Sequence, residues 1–209
     1  RTLVDIGRVI TTLQPLLRAT LPPEATLSFK LEPGLAAVLG DETQLRQIVL
    51  NLVINAGDAV RGGGGTIVVS LRSSRIGPGS REGVGLDVEL PEGEVVVLGV
   101  ADDGVGMPPE VVARIFEPFF TTKSVGRGLG LAATLGLVHA HQAAIRVDST
   151  AGKGSCFEVV FPASRPREPL TPPGPEPASG RGLVLLVDDD HAVRRSLARQ
   201  IVALGYAVL

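Results

Sequence analysis

The sequence predicts an α+β fold, a two-layer sandwich of helices against a mixed sheet, and three observations lead there. Helical and strand periodicities interleave without the regular βαβ alternation that a doubly wound parallel sheet requires. Of the 209 residues, 44% are hydrophobic and 20% charged, enough apolar surface for a real core and too much for wholesale disorder. The length amounts to about one and a half domains at ~150 residues each, one complete domain with a remainder.

Taken in order, Ile6, Val9, Ile10, Leu13, Leu16 and Leu17 recur at helical spacing, with Pro15 expected to kink or interrupt that helix. Leu27, Phe29 and Leu31 alternate with Ser28 and Lys30, as in a strand with one buried face. A long helix is expected over 41–60, stopped by the glycines at 62–65, before a β-rich run over 66–71. Residues 77–93 read as a loop or ragged hairpin, and 94–101 as a buried strand. A short helix over 109–115, a longer one over 130–141, and strands near 145–148 and 155–161 complete the body. From Pro162 to Gly182, seven of the sixteen prolines fall in one stretch almost without large apolar side chains, a semi-extended linker. The expected organisation is a body over 1–162, a linker over 163–182 and a tail over 183–209.

Lys and Arg number 20 against 22 Asp and Glu, a net charge of −2, which argues against nucleic acid as a partner because phosphate backbones demand a surplus of cations. One cysteine and three histidines make neither an intramolecular disulfide nor a zinc site of recognisable spacing. No apolar run approaches the ~18 residues of a membrane span and the N-terminus has no signal-peptide pattern, so a cytoplasmic setting without membrane contact is expected; an anchor upstream in a longer parent stays open.

On the 41–60 helix, successive residues advance by about 100°. With Asn51 as origin, Leu45, Ile48, Val49, Leu52, Val53 and Ala56 form a core face, while Gln44, Gln47, Asn51, Asn55 and Asp58 lie within about 40° of zero. A solvated flank usually carries Glu, Lys and Arg, whereas Asn and Asp are poor helix formers. The stripe therefore points to a ligand needing neutral oxygen donors, such as Mg2+ held jointly with phosphates and water; an ordinary polar flank is the alternative.

The 94–101 strand runs into Asp102-Asp103-Gly104-Val105-Gly106-Met107. An acid at a buried strand's end, followed by alternate glycines, lets the backbone turn sharply beside a flat ligand, and its carboxylate can accept a hydrogen bond from adenine's exocyclic amine. The same residues also fit a plain tight turn. A second glycine run, from Lys123 through Gly126, Gly128 and Gly130 to Ala133, precedes a helix whose N-terminal amides suit a phosphate. Its GxGxxA match lacks the preceding strand of a dinucleotide fold. Gly152-Lys153 lacks the Ser/Thr and the first glycine of a P-loop, Gly154 and Val147 standing there.

In this fixed order the motifs resemble the ATP-binding catalytic domain of sensor histidine kinases, a branch of the GHKL ATPases: an N box over 47–59, a G1 box over 102–107, an F box over 115–120, a G2 box over 126–131 and a closing glycine motif over 152–157. The resemblance covers roughly residues 1–162 and implies a Bergerat-type fold that binds ATP with Mg2+. It implies that Asn55 ligates Mg2+, that Asn51 lies beside the phosphates with Asp58 in the same pocket, and that Asp102, supported by Ser155, holds the adenine amine. Gly104, Gly106 and Met107 would admit the base. Phe116 to Gly128 would form a lid carrying Lys123 to the phosphate tail, with Gly126, Gly128, Leu129, Gly130 and Leu131 around it. Asn51, Asn55 and Lys123 would be the catalytic set. Gyrase-like and chaperone ATPases carry a glutamate in place of Asn51 to activate water, so the resemblance implies phosphoryl transfer to a protein. Family members commonly show His-Gly-Gly after the lid helix; here His141-Gln142-Ala143 implies a stiffer or reshaped turn.

His139, His141 and His191 are followed by Ala, Gln and Ala, without the acid that usually follows an acceptor histidine. The acceptor is therefore expected on a dimerising helical hairpin upstream in a homodimeric parent, and the chain alone is not expected to autophosphorylate. After the linker, a strand over 183–187, Asp188-Asp189-Asp190 and a helix over 192–204 resemble the opening of a flavodoxin-like response-regulator receiver. Asp188 and Asp189 would bind Mg2+ in a complete receiver; a charged turn after a strand is the alternative. The resulting expectation is the catalytic part of a hybrid sensor histidine kinase in two-component signalling, whose partners are the histidine domain and a receiver or response regulator. An ATP-hydrolysing switch and a degenerate nucleotide-binding docking module are the rivals.

Overall fold

A computed structural model of the chain describes residues 1–77, 88–90, 92–122, 129–165, 183–184, 202 and 207–208. Two compact units appear, residues 1–168 and 169–209. The first contains β1 (Thr2–Val4), α1 (Ile6–Thr20), β2 (Ala25–Leu31), β3 (Ala37–Gly40), α2 (Glu42–Ala59), β4 (Gly65–Ile76), β5 (Gly93–Asp102), α3 (Pro109–Val112), α4 (Gly130–Ala140), β6 (Ala144–Thr150) and β7 (Gly154–Arg165). The sheet order is β1-β3-β7-β5-β4-β2, with β6 also paired to β7. Only β2 and β4 run parallel; every other pair in this sheet is antiparallel.

Side-chain alternation sets the layers. On β5, Val96, Leu98 and Val100 join Ile67, Val69 and Leu71 of β4 and Val159 and Phe161 of β7 in one core with Ile10 and Leu17 of α1, Ile48 and Leu52 of α2 and Val138 of α4. On the opposite face Val95, Val97, Val160 and Ile76 form a smaller cluster. β5 is thus buried on both sides, as its unbroken apolar run predicts. The same period of two carries Asp102 onto the helix-covered face at the strand's end.

The α2 core face is the one read from the sequence: Leu45, Ile48, Val49, Leu52, Val53 and Ala56 are all buried. Its N-cap is Asp41, whose carboxylate accepts from the Gln44 N–H at 3.0 Å. Pro15 does not interrupt α1, which runs unbroken from Ile6 to Thr20. The proline removes one intrahelical donor, while buried Leu13 and Leu17 on either side of it hold the helix against the core.

Two strands escaped sequence reading. β1 and β3 are only three and four residues long and pair with each other, Thr2↔Gly40 to Val4↔Val38. β3 in turn holds the end of β7, so residues 163–165 belong to the sheet and not to the linker. β4 extends to Ile76, five residues past its expected end, because β5 pairs with it over the whole length. α3 stops at Val112; residues up to Glu117 continue in turns closed by Arg114 N–H to Val111 O and Glu117 N–H to Arg114 O, both at 2.9 Å.

Most of the expected 77–93 loop, the 166–182 part of the linker, and Asp188, Asp189 and most of the expected 192–204 helix lie outside the described residues. In the second unit, Leu183–Val184 pairs in parallel with Ala207–Val208. No helix among the described residues is long and apolar enough to cross a membrane.

Candidate functional site

One cavity of about 540 Å³ opens between α2, the end of β5, the turns after α3, the start of α4 and β7. That volume suits a nucleotide-sized ligand. Asn55 and Asp58 line it from α2, Asp102, Gly106 and Met107 from the β5 end, Leu129, Gly130 and Leu131 from α4, and Ser155 from β7. Val105, Val111, Ile115, Phe120 and Phe157 supply apolar wall, with Thr121 and Thr122 beside them.

Asp102 is 9% exposed. Its Oδ1 accepts from the Gly104 N–H at 2.9 Å, and the carboxylate also accepts from the backbone N–H of Ser155, its register partner on β7. Burial nevertheless pushes its carboxyl above the usual aspartate range, outweighing both donors, and neighbouring Asp103 adds to the rise. Asp103 itself faces away into structure, its Oδ1 taking the Thr66 N–H at 2.7 Å.

The loop after β5 is clamped on two sides. The Val105 N–H bonds Ala59 O at 3.1 Å, and Val105 O accepts from the Gly152 N–H at 2.7 Å. Gly104 packs on α2 so closely that a Cβ would stand 2.5 Å from Ala59 O, so it serves this approach and does not line the cavity. Gly106 lies at φ +60°, where a Cβ would collide with Thr150 O. Its glycine is required by both the backbone angle and the hairpin packed beneath it.

The polar stripe of α2 divides into two roles. Asn51 accepts from Gln47 Nε2 at 2.7 Å and donates through Nδ2 to Thr134 Oγ1 at 3.1 Å and to Gly130 O at 3.4 Å. It ties α2 to the first turn of α4 and is not part of the cavity lining, whereas Asn55 and Asp58, one and two turns on, are. Phe116 packs against the core, and its neighbours Ile115 and Phe120 take the lining positions. The Arg114 guanidinium lies 4.4 Å over the Phe120 ring and pairs with Glu117. Lys123, Gly126 and Gly128 lie outside the described residues.

Sequence reading missed Ser149. Its hydroxyl accepts from the Met107 N–H at 2.9 Å and lies 3.1 Å from Gly154 O and 3.0 Å from Ser155 Oγ. The signal was available: a tight turn over 151–153 between two strands makes 149 and 155 partners.

Among the described residues no three His, Cys, Asp or Glu side chains form a metal cage. Asn55 and Asp58 both line the cavity and carry side-chain oxygens of the kind that Mg2+ shares with phosphates and water, and Asp58 Oδ1 lies 3.3 Å from Arg61 Nη2. Leu129 at the N-cap of α4 brings no side-chain acceptor to the helix start, which opens on the cavity.

Residues 40–165 match the family model described as histidine kinase-, DNA gyrase B-, and HSP90-like ATPase. A sensor kinase CckA of Brucella abortus (strain 2308) is 34% identical over 98% of this chain and 22% of its own length. A sensor histidine kinase ZraS of Klebsiella oxytoca is 35% identical over 77% of this chain and 31% of its own. The chain thus spans a third or less of these relatives. Among solved structures, the mycobacterial sensor histidine kinase MprB aligns with TM-score 0.61 at 29% identity, over 79% of this chain and 98% of that one. Full-length ShkA in complex with AMPPNP aligns with TM-score 0.62 at 31% identity, over 99% of this chain and 40% of that one. The domain is homologous to the ATP-binding catalytic domain of sensor histidine kinases, and the chain belongs to the histidine kinase-, DNA gyrase B-, and HSP90-like ATPase family.

Proposed function

We propose that this domain binds ATP with Mg2+ and donates the γ-phosphoryl group to a histidine on a dimerising hairpin of its parent protein, within a two-component phosphorelay. The carrying observation is that Asp102, at the tip of β5, and Asn55, on α2, line one cavity. Asp102 accepts the adenine amine while the apolar wall around Met107 and Phe157 takes the faces of the base. The triphosphate runs past Asn55 and Asp58 towards the start of α4, whose amides face the anion.

When bound, Mg2+ neutralises phosphate charge, and Asn55 is the residue that holds it. By the family resemblance, Lys123, Gly126 and Gly128 are assigned to the phosphate tail. Asn51 acts one step removed, by fixing the start of α4 to α2 through Thr134 and Gly130. Transfer forms a bond from a histidine nitrogen to the γ-phosphorus as the bond to the β–γ bridging oxygen breaks, so the chain's contribution is positioning and charge complementarity. Asn51 cannot act as a general base for water, which favours transfer over steady hydrolysis. The ShkA structure, solved with AMPPNP, supports a nucleotide in this fold.

The region beyond the linker opens a receiver, with Asp188 and Asp189 as its Mg2+ acids; a parallel pair of short strands, Leu183–Val184 with Ala207–Val208, supports a strand-crossover-strand start. The test is to mix the chain with a matching histidine hairpin and γ-labelled ATP. Acid-labile, base-stable label on the hairpin is expected. Steady phosphate release without label would point to a hydrolytic switch, and neither product to a docking module.

A further inference from the structure

The base end of the cavity carries a hydrogen-bond chain whose direction is set by counting protons. Ser149 has one hydroxyl proton and three neighbours. The Met107 N–H can only donate to it, at 2.9 Å, and Gly154 O can only accept from it, at 3.1 Å. The third neighbour is Ser155 Oγ at 3.0 Å. The arrangement that satisfies all three has Ser149 donating to Gly154 O and accepting twice, from Met107 N–H and from the Ser155 hydroxyl. Ser155 then spends its proton on Ser149, and its lone pairs are what it offers the cavity it lines. Beside it stands the Asp102 carboxylate, also an acceptor. The floor formed by these two groups is therefore acceptor-only: it complements the exocyclic amine of a 6-aminopurine, whereas a 6-oxopurine sets a carbonyl against it and can offer only its N1–H.

We propose that Ser149, which does not line the cavity, is a positioning residue for base specificity: it fixes the polarity of the Ser155 hydroxyl and thereby favours 6-aminopurine over 6-oxopurine nucleotides. The inference rests on the adenine reading of the cavity above. Removing the Ser149 hydroxyl frees the Ser155 proton to turn inward, where it can donate to a carbonyl. Ser149 also pins the Met107 amide, so its loss loosens one wall for either nucleotide; the ratio of affinities isolates the polarity effect from that general loosening.

The experiment titrates the full 209-residue chain with ATP and with inosine triphosphate, which carries a carbonyl in place of the amine. The unmodified chain is expected to prefer ATP. Ser149→Ala should lower that preference about three- to tenfold, on the scale of one hydrogen bond, while Ser149→Thr, which keeps the hydroxyl, should retain it. Ser155→Ala should lower the preference similarly, and the double variant should go no further. If Ser149→Ala weakens both nucleotides equally, or if Ser155→Ala leaves the ratio unchanged, the polarity assignment is overturned while the adenine reading stands. If the unmodified chain binds the two nucleotides alike, the adenine reading itself fails and takes this inference with it.

Discussion

His141 accepts a 3.1 Å hydrogen bond at Nε2 from the backbone N–H of Asp41, a residue 100 positions earlier in the chain. Its Nδ1 lies 2.8 Å from Leu137 O, so Nδ1 carries the proton and Nε2 the lone pair. The ring is 6% exposed, meets Phe161 edge to face at 6.4 Å, and packs on Gly40 so tightly that a Cβ there would stand 2.6 Å from Cδ2. Asp41 is the N-cap of α2, and His141 the C-cap of α4. One side chain therefore fixes the start of the helix that carries Asn55 and Asp58 to the end of the helix whose other end opens on the same cavity.

His141→Ala should destabilise the domain by about 2–4 kcal/mol, combining a buried cavity with an unsatisfied Asp41 amide. Gly40→Ala should also destabilise by forcing the ring away, and the double variant should cost less than the sum of the two. Urea unfolding of the three variants measures this; small, additive losses would mean the ring is not the joint between these helices.

The turn after α4 closes with Gln142 N–H on His139 O at 2.9 Å and Ala143 N–H on Val138 O at 3.1 Å, a Schellman pattern. Gln142 sits at φ +55°, where a glycine normally stands. The departure from His-Gly-Gly therefore preserves the turn and strains one residue. Gln142→Gly should raise stability by about 0.5–1 kcal/mol, read as a higher urea midpoint at unchanged slope. A lower midpoint would contradict the strain.

Because burial raises the Asp102 carboxyl, the folded chain holds its proton more tightly than the unfolded chain does. Its contribution to stability is fully present below the ordinary aspartate value and is lost as pH climbs through the raised folded value. The melting temperature of the unmodified chain relative to Asp102→Asn should accordingly fall with rising pH across that window. A pH-independent difference would mean the carboxyl is not perturbed. In the same window ATP affinity should weaken as pH falls, since a protonated Asp102 no longer offers a carboxylate to the amine.

The long-range organisation of this domain was legible where one period dominated: the α2 core face, the doubly buried β5, and the acid at its tip all follow from apolar spacing. β1 and β3 were not legible, because strands of three and four residues owe their existence to β7 and to each other. Asn51 illustrates a subtler limit. Its angular position on α2 was correct, yet the angle alone did not say that α4 would arrive first and occupy its amide. Ser149 belongs to no motif, and the signal that reaches it is the hairpin register that pairs it with Ser155.

The most direct measurement is a calorimetric titration of ATP with Mg2+ into the unmodified chain and into Asp102→Ala. The account predicts binding that weakens about ten- to a hundredfold in the variant, the worth of one charge-assisted hydrogen bond. Equal affinity in the two proteins would contradict recognition of the base at the tip of β5.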